Sequence, residues 1–584
     1  MDAAADDIEQ DAKMALDARL ARLGPNQRAL LDERLHRGPV SGHRLVAQTL
    51  GRLDVTHVYG VPGQPVYDTF GACAKAGLRV IGTHHQQPAA LMAAAHNYFA
   101  GRQKATTIVS TGVPAANALG AVVVARDNCW PLVVLAGAAP LAAAGHGYFM
   151  ALDAAELYRP VTKWATRVTT AHEIPGAIAH AFEAAMHGQP GPVLVELPED
   201  VLTAFAPRGG TAPPSRALAP LPEPDAEVLR QAAAMLMGAR RPLLIVGEGV
   251  RWASPFAALR ELVDALALPF ITSPVGRGTI PDDHPYCMNA IPWVAQSAAD
   301  LVLVLGARLD WAFRYGRQLP DDARIIQVDA DVAEFDRVRK ATLGIHGDVG
   351  VFLRALIVET GMISRKQAST QRDVAWLGEL RHSRRLTEAR REARAGDDAY
   401  PTSPLRLARE IRDALPPDAI TIFDSNLVLA ACQRMIPAHA PVSRITPGRS
   451  GCMGGGLPYA IAAKLEHPGR PVVAICGDFA FGITVMELET AVRHNVPIVV
   501  VVANNDGNSG SLRQRMHMGD SGGERIMTFQ PGLRYDRIMA MFGGHAEHVD
   551  RTEDIGPALM RALAGGRPAC INVAVDPDAP FPDD

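Results

Sequence analysis

Residues 476–507 constrain the fold more than any other stretch of the chain. They read Gly477-Asp478-Phe479-Ala480-Phe481-Gly482, an amphipathic run through Met486, Leu488 and Val492, an apolar segment at 497–503, and then Asn504-Asn505. That order predicts a strand, a glycine-rich turn, a helix starting near Ile483 and a second strand ending in an asparagine pair. Asp478 then offers a carboxylate oxygen at the end of one strand, and Asn505 an amide oxygen at the end of the next. Such a pair suits a hard cation like Mg2+, which takes near-octahedral oxygen ligands, few of them from protein. A helix N-terminus aimed at the same spot favours phosphate. The same residues also describe an ordinary βαβ unit with a capping aspartate and an Asn-Asn turn.

The rest of the chain repeats the α/β pattern. With 584 residues, about 100–200 per domain predicts three or four domains. A block over 42–206 alternates short strands (55–59, 79–81, 105–109, 131–135, 193–197) with Ala-rich helical stretches, which implies a parallel sheet covered on both faces. A Pro/Ala/Gly-rich linker follows at 207–224, and a second block at 225–360 has strands at 242–246, 269–271, 300–305 and 324–328. A charged helical linker (361–403) leads to a third block at 404–578, followed by a tail at 579–584. The fold class is thus α/β, with three doubly wound parallel-sheet domains. A net charge of −4 gives no reason to expect nucleic acid or a membrane surface as partner. The seven scattered cysteines read as buried thiols of a cytoplasmic protein.

Several segments in order carry a family resemblance. They are Asp127-Asn128-Cys129-Trp130-Pro131-Leu132, Arg277-Gly278 with Pro281-Asp282-Asp283-His284-Pro285, Gly306-Ala307-Arg308-Leu309-Asp310-Trp311, and the 477–507 signature. From about residue 42 to 578 the chain resembles the acetolactate synthase-like enzymes that use thiamine diphosphate (ThDP), and most of all their 2-hydroxyacyl-CoA lyase and oxalyl-CoA decarboxylase branch. The resemblance implies a pyrimidine-binding, a central and a diphosphate-binding domain. It implies Mg2+ held by Asp478, Asn505 and the Gly507 carbonyl, with Gly477, Phe479, Ala480 and Asn508 around the diphosphate. It also places Met453, within Gly451-Cys452-Met453-Gly454-Gly455-Gly456, as the apolar wedge beneath the bent cofactor. A core methionine in a glycine-rich loop is the plainer alternative.

One departure from the family stands out. Relatives usually carry a glutamate against N1' of the aminopyrimidine, where it helps remove the C2 proton. Here Gly82-Thr83-His84-His85-Gln86-Gln87 puts Gln86 at that position. An amide can hydrogen-bond the ring but cannot exchange its proton, and positioned proton transfer is typically worth ~10²–10⁴-fold in rate. Val113 stands in a loop that reads Ser-Gly-Pro-Gly-Ala-Thr-Asn in relatives and Thr111-Gly112-Val113-Pro114-Ala115-Ala116-Asn117 here. Met150-Ala151 replace a polar residue with an acidic neighbour, and together these changes imply a pocket for a less polar acyl or aldehyde group. His85, and less so His84, are candidates for relaying the missing proton. Gln64 could face the thiazolium, and Ser509 could border the substrate channel.

The central block of relatives holds FAD or ADP, or helps bind CoA. Asp329 and Asp331 could meet a ribose, but Glu248 stands where some relatives carry a lysine. The expectation is no FAD and only weak ADP or CoA binding. Residues 1–41 read as a helical extension resembling the lead-in of peptide-synthetase modules, so an acyl group could arrive on a carrier-protein thioester. The resulting expectation is a ThDP- and Mg2+-dependent carbon–carbon lyase or carboligase acting on a small acyl donor and an aldehyde or acyl acceptor. Its active site would lie between subunits of a homodimer or homotetramer. Simple decarboxylation and a catalytically silent ThDP-binding scaffold are the alternatives.

Overall fold

The computed structural model describes residues 39–206, 218–360, 372–508 and 527–582. Most of the expected N-terminal extension and parts of both linkers fall outside these residues. Three parallel sheets organise the rest, one per block.

The first sheet runs in the order Arg79–Gly82, His57–Gly60, Ala105–Val109, Leu132–Ala138, Pro192–Pro198, Trp164–Arg167. Its central strands are buried at every position, as expected where helices cover both faces. Val40–Ser41 pairs antiparallel with Phe205–Ala206 and ties the two ends of the block together. The expected strand at 55–59 begins later, at His57, because Asp54 turns the chain with a φ of 58°. The second sheet holds Phe270–Thr272, Pro242–Val246, Leu301–Leu305, Arg324–Asp329 and Leu343–His346, in that order. The third holds Arg444–Ile445, Ile420–Asp424, Val472–Gly477, Val499–Asn504, Ala569–Ala574 and His545–Val549.

The first and third sheets share a consequence of their strand order. The chain leaves the first strand toward one edge, then returns to build toward the other. Ligands of open α/β sheets bind at that reversal, beyond the carboxyl ends of the strands. In the first block these ends lead to Gln64, Gln86 and Val113. In the third they lead to Asp424, Asp478 and Asn505.

Two small-residue helices join these blocks. Gln86–Ala100 packs along Gly456–Glu466, and Ala89, Ala90, Ala93, Ala460, Ala462 and Ala463 are wholly buried in one shared core. The central block secures the far end: the Arg251 guanidinium donates to the Tyr98 and Phe99 carbonyls in the last turn of Gln86–Ala100. A cation there satisfies carbonyls that lack an intrahelical partner.

Candidate cofactor site

The 477–507 motif folds as one unit. Asp478 follows the strand Val472–Gly477 and is 1% exposed. One carboxylate oxygen accepts the Phe479 N–H and the other the Gly507 N–H, each at 2.8 Å. Burial pushes this carboxyl up to about 6, while the two N–H donors pull the other way. A buried carboxylate that its own surroundings leave partly uncompensated is suited to a cation. Gly507 must be glycine, because a Cβ there would lie 2.3 Å from the Met527 carbonyl oxygen. Asp506 before it takes a left-handed φ of 55°, and Asn508 donates its N–H to Met527. Asn505 sits at the end of Val499–Asn504, as expected. Ser509 lies outside the described residues.

The helix expected to start near Ile483 is a correction. Two short helices replace it, Asp478–Ile483 and Glu487–Arg493. Thr484 leaves helical geometry at φ −128° and donates its hydroxyl to the Gly454 carbonyl. The first helix therefore begins on Asp478 itself, with Gly477 as its N-cap, and carries Phe479 and Ala480. A side chain on Gly477 would collide with Ser425 Oγ at 2.4 Å.

Sequence reading missed Asp424, which holds the loop bearing Met453. One of its carboxylate oxygens accepts the N–H groups of Gly454 (2.9 Å) and Gly456 (2.7 Å). Its other oxygen is buried with no partner among the described residues, and burial pushes the group up to about 6 despite those donors. The only signal was an acidic residue ending the apolar run Ile420–Phe423, a weak cue in an α/β chain. Gly454 takes a φ of 93°, and a Cβ there would lie 2.6 Å from Ile483 Cγ2. Met453, half-buried, is thus clamped from the Asp424 strand and from the Thr484 turn.

The other group of candidates gathers on the first sheet. Gln86 opens the helix Gln86–Ala100, is 7% exposed, and accepts a hydrogen bond from Asn117 Nδ2 at 3.1 Å. His85 is the N-cap of that helix, its Nδ1 accepting the Gln87 N–H at 3.2 Å. This gives His85 a structural part, with one ring nitrogen already engaged. His84 reaches the third block, where its Nε2 meets Glu489 at 2.8 Å and its N–H donates to Glu487. Gln64 donates to Glu199 at 3.3 Å. Val113 starts the helix Val113–Asp127 and is 63% exposed. Met150 lies beside it: the Met150 carbonyl accepts the Thr111 hydroxyl and closes on Gly112, where a Cβ would come within 2.3 Å of that oxygen. Among the described residues, no hydrogen bond joins the Gln86–Asn117 group to the Asp478–Gly507 group of the same chain.

The central block explains the unusual Glu248. Its carboxylate faces Arg449 of the third block at 3.5 Å, and Arg449 also pairs with Asp310. Asn128 of the first block accepts the Arg449 N–H at 2.7 Å. Glu248 is therefore part of a three-block junction. Asp329 accepts the Asp331 N–H, and burial pushes its carboxyl up to about 7. Asp331 lines a cleft of about 820 Å³ with Lys163, Arg308, Arg337 and His346.

All three blocks match known protein families in sequence. Residues 40–157 match the thiamine pyrophosphate enzyme N-terminal TPP binding domain, 229–356 the central domain, and 427–573 the C-terminal TPP binding domain. The chain belongs to the thiamine pyrophosphate enzyme family. Among its relatives in this family, a 2-hydroxyacyl-CoA lyase of Arabidopsis thaliana is 30% identical over 92% of this chain and 96% of its own length. The acetolactate synthase large subunit IlvG of Mycobacterium tuberculosis is also 30% identical, over the same shares. The oxalyl-CoA decarboxylase of Escherichia coli K12 is 29% identical over 92% and 95%. Within this thiamine pyrophosphate enzyme, no helix among the described residues is long and apolar enough to cross a membrane.

Proposed function

We propose that the protein binds ThDP and Mg2+ and makes or breaks a carbon–carbon bond beside a carbonyl, by acyloin-type joining or by cleavage of a 2-hydroxyacyl thioester. The observation that carries this reading is the union of Asp478 with the Gly507 N–H across two strand ends. Asp478, Asn505 and the Gly507 carbonyl would hold the metal. Phe479, Ala480 and Asn508 would border the diphosphate. When bound, the cofactor supplies an electron sink for the carbonyl carbon. The chain's own residues do the rest. Asp424 and Thr484 fix the Met453 loop against the bend. Gln86 meets the pyrimidine, and Val113 and Met150 supply an apolar wall for the acyl group.

The two residue groups sit at the carboxyl ends of separate sheets, which supports a site shared between subunits of a homo-oligomer. Glu248 supports weak nucleotide binding at best, because it stands at the junction where some relatives carry a lysine and offers no cation to a phosphate. The reading is tested by thermal melting with ThDP and Mg2+, followed by mass spectrometry of products from α-keto acids, 2-hydroxyacyl-CoAs and aldehydes. A stabilised protein that yields a carboligation or cleavage product supports it. Loss of CO2 alone from a keto acid or an oxalyl thioester would instead make the protein a decarboxylase.

Gln86 favours a second reading, a ThDP-binding protein without turnover. Hydrogen–deuterium exchange at C2 of the bound cofactor separates the two. Exchange no faster than in free ThDP supports the silent protein, and acceleration in Gln86→Glu assigns the limit to the amide.

A further inference from the structure

The Gln86 side chain is 7% exposed, and its Oε1 lies 3.1 Å from Asn117 Nδ2. An amide NH2 can only donate, so the Gln86 atom that meets it is the carbonyl oxygen. The two ends of a primary amide are chemically opposite. With Oε1 engaged, the end that remains is Nε2, which has no hydrogen-bond partner among the described residues.

Asn117 is well placed to impose this orientation. It sits in the second turn of Val113–Asp127, a helix packed along Gln86–Ala100. The next residue of the latter helix, Gln87, reaches across to the same partner, since a Cβ on Gly120 would lie 3.4 Å from Gln87 Nε2. Both backbones are therefore fixed relative to each other before any ligand arrives.

We propose that Asn117 is a positioning residue that turns the Gln86 amide so that it offers an N–H, and not an oxygen, to the pyrimidine ring nitrogen of the cofactor. The inference rests on the ThDP reading above. Its chemical content is a neutral recognition. The ring nitrogen accepts an N–H through its lone pair and carries no proton. A glutamate in the same place would share its proton with the ring. Gln86 thus retains the grip on the ring while giving up the proton exchange, and the Asn117 contact determines which end of the amide makes that grip.

The test compares ThDP with its 1'-deaza analogue, in which the ring nitrogen is replaced by CH, by isothermal titration of the full chain with Mg2+. One hydrogen bond contributes about 0.5–1.5 kcal/mol net, so the native protein is expected to bind ThDP up to about tenfold more tightly than the analogue. In Asn117→Asp the carboxylate accepts from Gln86 Nε2 and turns the oxygen toward the pocket. The preference should then disappear, while the analogue binds as tightly as before, which also shows that the variant is folded. Equal affinity of the native protein for both ligands would overturn the inference, as would an unchanged preference in Asn117→Asp. If neither ligand binds, the cofactor reading itself fails.

Discussion

The Asp478 carboxylate and the Gly507 N–H meet at 2.8 Å across the ends of neighbouring strands. This contact links the two halves of the proposed metal motif, 29 positions apart in sequence. Asp478→Ala should fold, since the strand beneath it is buried apolar chain, but should lose the stabilisation that ThDP and Mg2+ give. At ligand one-hundredfold above its Kd, that stabilisation is about 2.7 kcal/mol. Melting curves with and without ThDP and Mg2+ measure it, and an unchanged shift in the variant would remove Asp478 from the site.

Gly454→Ala should damage the Met453 loop. The residue has a φ of 93° and only 2.6 Å between a new Cβ and Ile483 Cγ2. A side chain forced into such a conformation costs more than about 1 kcal/mol. The expected outcome is a lower melting temperature together with weaker ThDP binding by titration calorimetry. The neighbouring Gly451→Ala meets no atom within 4 Å, although its φ of 60° keeps some strain, and should be milder on both measures.

Arg449→Met should loosen the junction of all three blocks. The guanidinium is 5% exposed and its partner Glu248 4%. Removing one partner of a buried pair typically costs about 3–5 kcal/mol, because the remaining charge is left uncompensated. Urea denaturation should show this loss, and Glu248→Gln added to the same chain should restore part of it. No recovery in the double variant would mean that Glu248 is not the uncompensated group.

Acid should destabilise the protein through His57. Burial, then the charges of His96, Arg79 and Lys104, lower this imidazole from 6.5 to about 3, while Glu466 works against them. The unfolded chain binds the proton near 6.5 and the folded chain only near 3. Stability is therefore full above pH 6.5 and is lost as pH falls toward 3, by at most ~1.4 kcal/mol per pH unit. His57→Phe should flatten the dependence of the melting temperature between pH 6.5 and 4. A slope as steep as that of the native protein would assign the acid sensitivity elsewhere.

The sheets were legible where strands are buried on both faces. The expected strands at 105–109 and 242–246 agree with the structure to the residue, because β-branched or apolar runs bounded by turns leave little freedom. Edge strands were legible only in part: those at 79–81 and 269–271 were expected, but three others were not. Trp164–Arg167, Leu343–His346 and His545–Val549 are only partly buried, so their sequences carry no apolar run. In the site, Asp478 and Gly507 could be read because motif and spacing reinforce each other. Asp424 could not, since its role comes from two N–H groups some thirty residues away. The capping part of His85 was equally hidden: a histidine before a helix looks the same whether it shuttles protons or accepts one N–H.

The alanine seam between Gln86–Ala100 and Gly456–Glu466 separates what can vary from what cannot. Its residues are wholly buried, so added volume there forces repacking that costs about 1–3 kcal/mol. Val113, proposed for the acyl wall, is 63% exposed and lies outside the seam. Changes at Val113 therefore leave the seam intact, so the proposed acyl pocket can be reshaped on an unchanged frame.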